Sequence, residues 1–127
     1  MMNASLLIVD DNQSLANLYQ IVFERSGWQT RTAREGQEAI DSIAADRPNV
    51  VLLDVMMPGM DGVEVCRRIR DLSPSPPPLI VIYTANSRPE TRQAGLDAGA
   101  DLFYSKSISI FDLATLLSAH LSPPEAS

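Results

Sequence analysis

The sequence predicts an α/β fold, a doubly wound, five-stranded parallel sheet covered by helices on both faces in a three-layer (βα)5 arrangement. Short apolar runs alternate five times with segments of helical periodicity, a pattern typical of parallel strands joined by helices. The run at residues 50–53 is apolar throughout, as expected of a strand buried on both faces. Right-handed crossovers leave few topologies for five such units, and we expect the strand order 2-1-3-4-5.

The first half of the chain contains three predicted strands and two predicted helices. The strands are expected at residues 6–9, 28–32 and 50–53. Asn12 or Ser14 is a good N-cap for the first helix, and Gly27 ends it. Helical spacing predicts that its apolar stripe consists of Leu15, Leu18, Val22, Tyr19 and Phe23. The second helix is expected over residues 35–45, with an inward face formed by Ala39, Ile40, Ile43 and Ala44.

The second half continues the same alternation. A third helix follows Gly62 and reaches about residue 72, with an apolar side formed by Val63, Val65, Cys66 and Ile69. The proline-rich segment 73–78 cannot be helical, because proline lacks the amide donor. Strands are then expected at residues 79–83 and 102–104, and helices at residues 89–98 and from Ile110, with Leu113, Leu117 and Leu121 on one face. Gly95 and the scarcity of large apolar residues make the helix over 89–98 the weakest.

Composition and charge restrict the function. The 127 residues suffice for one domain, predicted over residues 1–122, with residues 123–127 as a polar tail or the start of a linker. A net charge of −6 without a basic run argues against direct nucleic-acid binding by this domain. The single Cys66 is interpreted as a small buried hydrophobe. No segment is long enough for a signal peptide or membrane span, so we expect a cytoplasmic protein without membrane contact.

Reactive side chains follow four of the five predicted strands. Asp10 and Asp11 come after the first, Asp54 after the third, Thr84 ends the fourth, and Lys106 follows the fifth. Because the carboxyl ends of parallel strands lie at one edge of the sheet, where ligands bind in such folds, these groups are expected to converge. Taken singly, three of these features have structural interpretations: a helix-capping loop for the Asp pair, a capping or turn residue for Asp54 and a structural hydroxyl for Thr84.

The combination points to phosphoryl chemistry. Three neighbouring carboxylates repel one another, and a hard divalent cation such as Mg²⁺ removes that penalty. A hydroxyl from Thr84 and the ammonium of Lys106, the single lysine of the chain, suit the oxygens of a phosphoryl group. A carboxylate can accept such a group covalently, and Asp54, alone on the central strand, is the natural acceptor.

Over nearly its whole length the sequence resembles the receiver domain of two-component response regulators, and particularly the chemotaxis-type receivers. The matching segments are residues 7–11 (LIVDD), 52–62 (LLDVMMPGMDG), 83–85 (YTA), 98–101 (AGAD) and 105–106 (SK). The resemblance implies a flavodoxin-like fold and a signalling domain that is not an enzyme for an outside substrate. It also implies a phosphorelay partner, either a sensor histidine kinase or a phosphotransfer protein.

The resemblance also implies individual roles. Asp54 would accept the phosphoryl group, while Thr84 and Lys106 would bond its oxygens. Mg²⁺ or Mn²⁺ would be held by Asp11, Asp54 and the backbone carbonyl of Met56, with Asp10 acting through water. Two residues are candidate switch aromatics together with Thr84, namely Phe103 and Tyr104. Regulators of this type often dimerise or contact partners through the surface of the fourth helix, fifth strand and fifth helix.

One departure concerns the loop after Lys106. The family usually has proline next, often with a cis peptide bond, where this chain has Ser107. Two alternatives are also considered. A hydrolase of the haloacid-dehalogenase type would need a second acid two residues after the nucleophile, where this chain has Met56. A receiver-like domain that works by protein contact alone would be expected to lack part of the acid cluster or the lysine.

Overall fold

A computed structural model describes residues 4–121 and contains the predicted alternation of strands and helices. The strands are β1 (Ser5–Val9), β2 (Gln29–Ala33), β3 (Val50–Leu53), β4 (Leu79–Thr84) and β5 (Leu102–Ser105). All neighbouring strands are parallel, in the order β2-β1-β3-β4-β5, which confirms the predicted topology. The predicted tail at residues 123–127 lies outside the described residues.

Five helices cover the two faces of the sheet. They are α1 (Gln13–Arg25), α2 (Gly36–Ala45), α3 (Gly62–Leu72), α4 (Pro89–Asp97) and α5 (Ile110–Leu121). One apolar core lies between the sheet and α2, α3 and α4, and the other lies between the sheet and α1 and α5. β3 is buried along its whole length, because helices cover both of its faces. No helix among residues 4–121 is long and apolar enough to cross a membrane.

The structure corrects several details of the predicted helix faces. In α1 the buried residues are Ala16, Tyr19, Val22 and Phe23, while Leu18 is 42% exposed. The structure thus confirms Tyr19, Val22 and Phe23 in the predicted stripe, adds Ala16 and excludes Leu18, because α1 carries apolar residues around more than one face. Ala44 and Leu121 were also expected inside and are exposed. β2 begins one residue later than predicted, and the Trp28 indole before it donates to Ser118 Oγ at 3.1 Å.

At the amino edge of the sheet, where the strands begin, Arg70 connects α3 to the region of β4 and β5. Its guanidinium donates to the carbonyl oxygens of Gly99 (2.9 Å) and Pro78 (3.0 Å) and to the carboxylate of Asp101 (2.8 Å). Asp101 also accepts the backbone N–H of Ile80 at 2.9 Å. Arg70 thus supplies partners to two carbonyls that no strand or helix would otherwise satisfy, which stabilises the turn after α4.

The helix α4 is the least embedded of the five. Gly95 is its one fully buried residue, and Arg88 caps its start without a side-chain hydrogen bond. A side chain at position 95 would collide with Ile82, since an added Cβ would lie 2.5 Å from Ile82 Cδ1. Glycine therefore lets α4 approach the sheet closely, while the helix buries little apolar surface of its own. This packing agrees with the expectation that α4 is weak.

Candidate functional site

The candidate site lies at the carboxyl edge of the sheet, where the strands end. There, β1, β3, β4 and β5 share one local arrangement: a polar side chain at the strand end accepts the backbone N–H two residues later. The four pairs are Asn12 N to Asp10 Oδ1 (2.9 Å), Met56 N to Asp54 Oδ1 (2.9 Å), Asn86 N to Thr84 Oγ1 (3.2 Å) and Ser107 N to Ser105 Oγ (3.1 Å). Such turns are a known preference of Asp, Ser and Thr. They fix each side chain and occupy only one oxygen of each carboxylate.

The remaining carboxylate oxygens face the ammonium of Lys106. Lys106 Nζ lies 2.8 Å from Asp54 Oδ2 and 3.3 Å from Asp10 Oδ2, so it links the ends of β1 and β3. Both acids are buried, with 3% of Asp10 and 8% of Asp54 exposed. Burial of the ammonium opposes its charge, but the hydrogen bond that it donates to Asp54 and the charges of both acids outweigh this effect, so the pKa of Lys106 is raised. One cation is therefore shared by two acids and reduces the repulsion between them.

The loop from β3 to α3 presents Asp54 at this edge. Gly59 has φ +75, in the region that favours glycine, and Asp61 caps α3 by accepting the N–H of Glu64 at 3.0 Å. Gly62 packs against the strand end, and an added Cβ there would lie 2.5 Å from the backbone oxygen of Asp54. Gly59 and Gly62 are therefore required for α3 to begin directly behind the carboxylate of Asp54.

The third predicted acid, Asp11, stands apart from the pair. It is exposed and lines an open cleft of about 650 Å³ together with Glu35, Pro58 and Met60. Within the described residues, no group of three or more acidic, histidine or cysteine side chains is arranged to hold a metal. Two of the three predicted acids, Asp10 and Asp54, lie beside Lys106, and Asp11 follows Asp10 directly in the chain. The donors are all oxygen, which suits a hard cation such as Mg²⁺.

Thr84 is connected to Lys106 through the backbone. Its side chain is fully buried at the end of β4, and its carbonyl oxygen accepts the N–H of Lys106 at 2.9 Å. The Lys106–Ser107 peptide bond is trans, and among residues 4–121 the cis bond is Ser75–Pro76. The bond at the position where the family often has a cis proline is therefore trans in this chain, which has Ser107 there.

Two tyrosines that the sequence did not identify as site residues lie beside the ammonium of Lys106. The ammonium lies 5.9 Å from the ring centroid of Tyr19 on α1 and 5.9 Å from that of Tyr83 on β4. Burial raises the pKa of both phenols, more than the nearby Lys106 charge lowers it. Tyr83 directly precedes Thr84, and this position at a strand end is the signal that identifies it. Tyr19 appeared in the sequence only as part of an apolar stripe.

The two candidate switch aromatics lie on opposite faces of β5. Phe103 packs on the side of α4, where the guanidinium of Arg92 lies 5.8 Å from its ring centroid. Tyr104 packs on the side of α5, and both residues are partly buried. Met56 is 55% exposed beside Asp54, with its N–H donated to that carboxylate. Its predicted use of the carbonyl oxygen as a metal ligand stays a prediction.

Comparisons with known proteins agree on one family. The family model described as the response regulator receiver domain matches residues 6–118. The response regulator MprA of Mycolicibacterium vanbaalenii is 39% identical over 120 residues, covering 94% of this chain and 51% of that protein. MprA of Mycobacterium tuberculosis is 38% identical over 120 residues, with the same coverage. The chain spans about half the length of the curated relatives it matches.

Solved structures show the same relationship. The chemotaxis response regulator CheY4 of Vibrio cholerae superposes with a TM-score of 0.87 at 29% identity, covering 94% of this chain and 100% of that one. A CheY-like receiver domain protein from Methanospirillum hungatei gives 0.86 at 25% identity, covering 94% of each chain. A DNA-binding response regulator of the LuxR family from Staphylococcus aureus gives 0.82 at 28% identity, covering 91% of this chain and 97% of that one.

Proposed function

This chain belongs to the response regulator receiver domain family, and from that premise we propose that it is a phosphorylation-switched signalling domain whose phosphoacceptor is Asp54. The observation that carries the proposal is the placement of Lys106, whose ammonium bonds Asp54 Oδ2 at 2.8 Å and reaches Asp10. A carboxylate can accept a phosphoryl group, and a cation held beside that carboxylate stabilises the charge of the group as it is transferred. The donor is a phosphohistidine of a sensor kinase or a phosphotransfer protein.

The proposed transfer exchanges one bond for another. A carboxylate oxygen of Asp54 forms a bond to phosphorus while the N–P bond of the phosphohistidine breaks, and the electron pair of that bond returns to the imidazole. Lys106 then pairs with a phosphoryl oxygen. The negative charge of that oxygen replaces the charge of Asp54 Oδ2, with which Lys106 pairs before the transfer. Thr84 lies at the end of the neighbouring strand, and its hydroxyl donates to another oxygen after transfer. Chemically, the chain supplies charge compensation and position.

Mg²⁺ belongs to the same proposal. When bound, it would neutralise charge on the transferring group and on the acids. Asp11 and Asp54 would hold it with the carbonyl oxygen of Met56, and Asp10 would act through water. This proposed set of Mg²⁺ ligands is supported by the presence of oxygen donors alone at this edge of the sheet, next to the cleft that Asp11 lines.

The output of the switch is proposed to be the surface of α4, β5 and α5. Thr84 ends the strand that leads to α4, and Phe103 lies under that helix. Reorientation of Thr84 toward a phosphoryl oxygen would leave space that Phe103, or Tyr104 on the other face, could fill. A homodimer or another partner would read the resulting change. We place the domain in the cytoplasm, where such kinases present their phosphohistidine.

The test is incubation with acetyl phosphate and Mg²⁺, followed by intact mass measurement. We expect a gain of one phosphoryl group in the wild type and in Asp41→Asn, which makes the same chemical change at an exposed position on α2. Asp54→Asn should gain none, and chelation of Mg²⁺ should abolish the gain in all samples.

Three outcomes would contradict the proposal. Failure of the folded wild type to gain mass from either acetyl phosphate or a phosphorylated kinase would favour a domain that works by contact alone. An unchanged gain in Asp54→Asn would place the acceptor elsewhere. Rapid turnover of an added phosphomonoester would favour the hydrolase alternative.

A further inference from the structure

We propose that Tyr19 and Tyr83 are positioning residues for Lys106: their rings bound the space that its ammonium can occupy, and the Tyr83 hydroxyl anchors the loop that carries it. The geometric part stands on contacts in the structure. The consequence for phosphoryl transfer rests on the proposed function.

The two rings form a continuous wall behind the site. Tyr19 and Tyr83 contact each other edge to face, with ring centroids 5.7 Å apart and an interplanar angle of 62°. The gap between this wall and the buried acids Asp10 and Asp54 has no room for a water molecule. The ammonium of Lys106 therefore cannot turn toward solvent on this side. Its hydrogen bonds go to the two carboxylates in front.

The magnitudes show how the rings act. A cation–π contact is effective within about 6 Å of the ring centroid, so two contacts at 5.9 Å lie at the outer limit and attract weakly. The charged hydrogen bond to Asp54 at 2.8 Å is much the stronger interaction. The wall thus contributes mainly by excluding water and limiting the lysine's rotamers. Exclusion of water in turn strengthens the ion pair.

The hydroxyl of Tyr83 has a separate role in the loop after β5. It donates to the carbonyl oxygen of Ile108 at 2.6 Å, and the N–H of Ile108 donates to the carbonyl oxygen of Ser105 at 3.0 Å. Ile108 is thereby held on both sides, two residues after Lys106. Lys106 is followed by Ser107, which leaves the φ angle free where a proline would fix it. The Tyr83 hydrogen bond supplies a constraint that the backbone does not.

A single lysine makes the test direct, because lysine-selective isotope labelling gives one backbone amide signal and one Cε–Hε signal, both from Lys106. In Tyr83→Phe the ring stays and the hydrogen bond is lost, so we expect faster hydrogen exchange of the Lys106 amide. In Tyr19→Leu a ring is lost, and we expect the Cε–Hε signal to move toward the position of a free lysine. Thr115→Val is the matched control, since Thr115 Oγ1 donates to the carbonyl of Phe111 at 3.2 Å on α5, away from the loop.

The size of the first effect follows from the bond that is removed. Amide exchange at Lys106 should accelerate about fivefold, the ratio that corresponds to a net hydrogen-bond contribution of about 1 kcal/mol. Phosphoryl uptake from acetyl phosphate should slow by a similar factor in Tyr83→Phe. Thr115→Val should match the wild type in both measurements.

The outcomes separate this proposal from the proposed function. If the wild type takes up no phosphoryl group, the proposed function fails, while the two NMR measurements still decide the positioning. A lower urea midpoint for the tyrosine variants, with both Lys106 signals of the folded protein unchanged, would indicate a merely structural role and overturn the positioning. Uptake at the wild-type rate in Tyr83→Phe, despite accelerated exchange, would overturn its consequence for transfer.

Discussion

Replacing Lys106 with methionine tests the electrostatic logic of the site without any phosphoryl donor. The substitution keeps an unbranched side chain, shorter by one atom, and removes its charge, which leaves Asp10 and Asp54 buried beside each other with no cation. Coulomb attraction at an effective dielectric of 20 is about 6 kcal/mol for the 2.8 Å pair and about 5 kcal/mol for the 3.3 Å pair. Desolvation offsets most of this, and loss of one partner of a buried pair typically costs about 3–5 kcal/mol. Since Lys106 is 19% exposed, we expect about 3 kcal/mol.

Asp54→Asn is the informative comparison. In that variant Lys106 keeps Asp10 as its partner at 3.3 Å, and the repulsion between the two acids disappears. The expected loss is below about 1 kcal/mol, although the same ion pair is broken from the other side. Arg31→Met serves as a control, because Arg31 and its partner Asp46 are exposed (37% and 81%), and such a pair contributes at most about 1 kcal/mol.

The assays are urea unfolding and thermal unfolding at pH 7 in the presence of a chelator, each repeated with Mg²⁺. For a domain of this size, Lys106→Met should lower Tm by about 10 °C. Mg²⁺ at ten times its wild-type Kd would return about 1.4 kcal/mol to the wild type, and the same Mg²⁺ concentration should return more to Lys106→Met, where no ammonium competes for the acids. If Lys106→Met proves as stable as the wild type, or if Asp54→Asn loses as much, the reasoning about a shared cation is refuted.

Three further predictions concern packing, proton binding and the amino edge of the sheet. Gly62→Ala should lose more than about 2 kcal/mol in urea unfolding, because the added methyl meets the backbone of Asp54, whereas Gly59→Ala faces open space and should lose about 1 kcal/mol for its positive φ; equal losses would contradict this. Burial raises the pKa of Cys66 to about 11, so its thiol should resist a thiol reagent at pH 8 until the protein unfolds. The unfolded chain releases this proton at lower pH than the folded one, so stability should fall between about pH 8.5 and pH 11 in the wild type and fall less in Cys66→Ala. Arg70→Met should lose about 2 kcal/mol, because the carbonyls and the carboxylate that Arg70 now serves lose a donor, and an unchanged urea midpoint would refute this.

The sequence predicts the strand order and the main members of the site for one physical reason. Parallel strands end at one edge, so a side chain at a strand end is placed by the strand itself and needs no knowledge of distant contacts. Asp10, Asp54, Thr84 and Lys106 all belong to this class, and the structure brings Lys106 against both acids. Asp11 lies two residues beyond the end of β1, where the loop rather than the sheet decides its position.

Features that depend on packing between elements were not predictable in the same way. The membership of the α1 stripe depends on which of several apolar residues fit against the sheet, and Ala16 is buried there whereas Leu18 is exposed. The enclosure of Lys106 by Tyr19 and Tyr83 joins residues of three separate elements, and no local pattern encodes it. Periodicity states that a face is apolar, whereas the side chains of the neighbouring elements decide its angle.

The hydrogen bond from Arg70 to Gly99 has a consequence for motion. It pins the turn that follows α4 at the amino edge of the sheet, while the opposite end of the helix begins at Arg88 without a side-chain cap. The helix α4 can thus tilt about its carboxyl-terminal end, and this pivot lies at the end of the helix that is far from the carboxylate of Asp54. Nine residues span about 13 Å, so a tilt of about 10° would move the first turn by about 2 Å and leave the pivot in place. A partner that binds the first turn of α4, beside the strand end that carries Thr84, would therefore respond to the largest displacement of the helix.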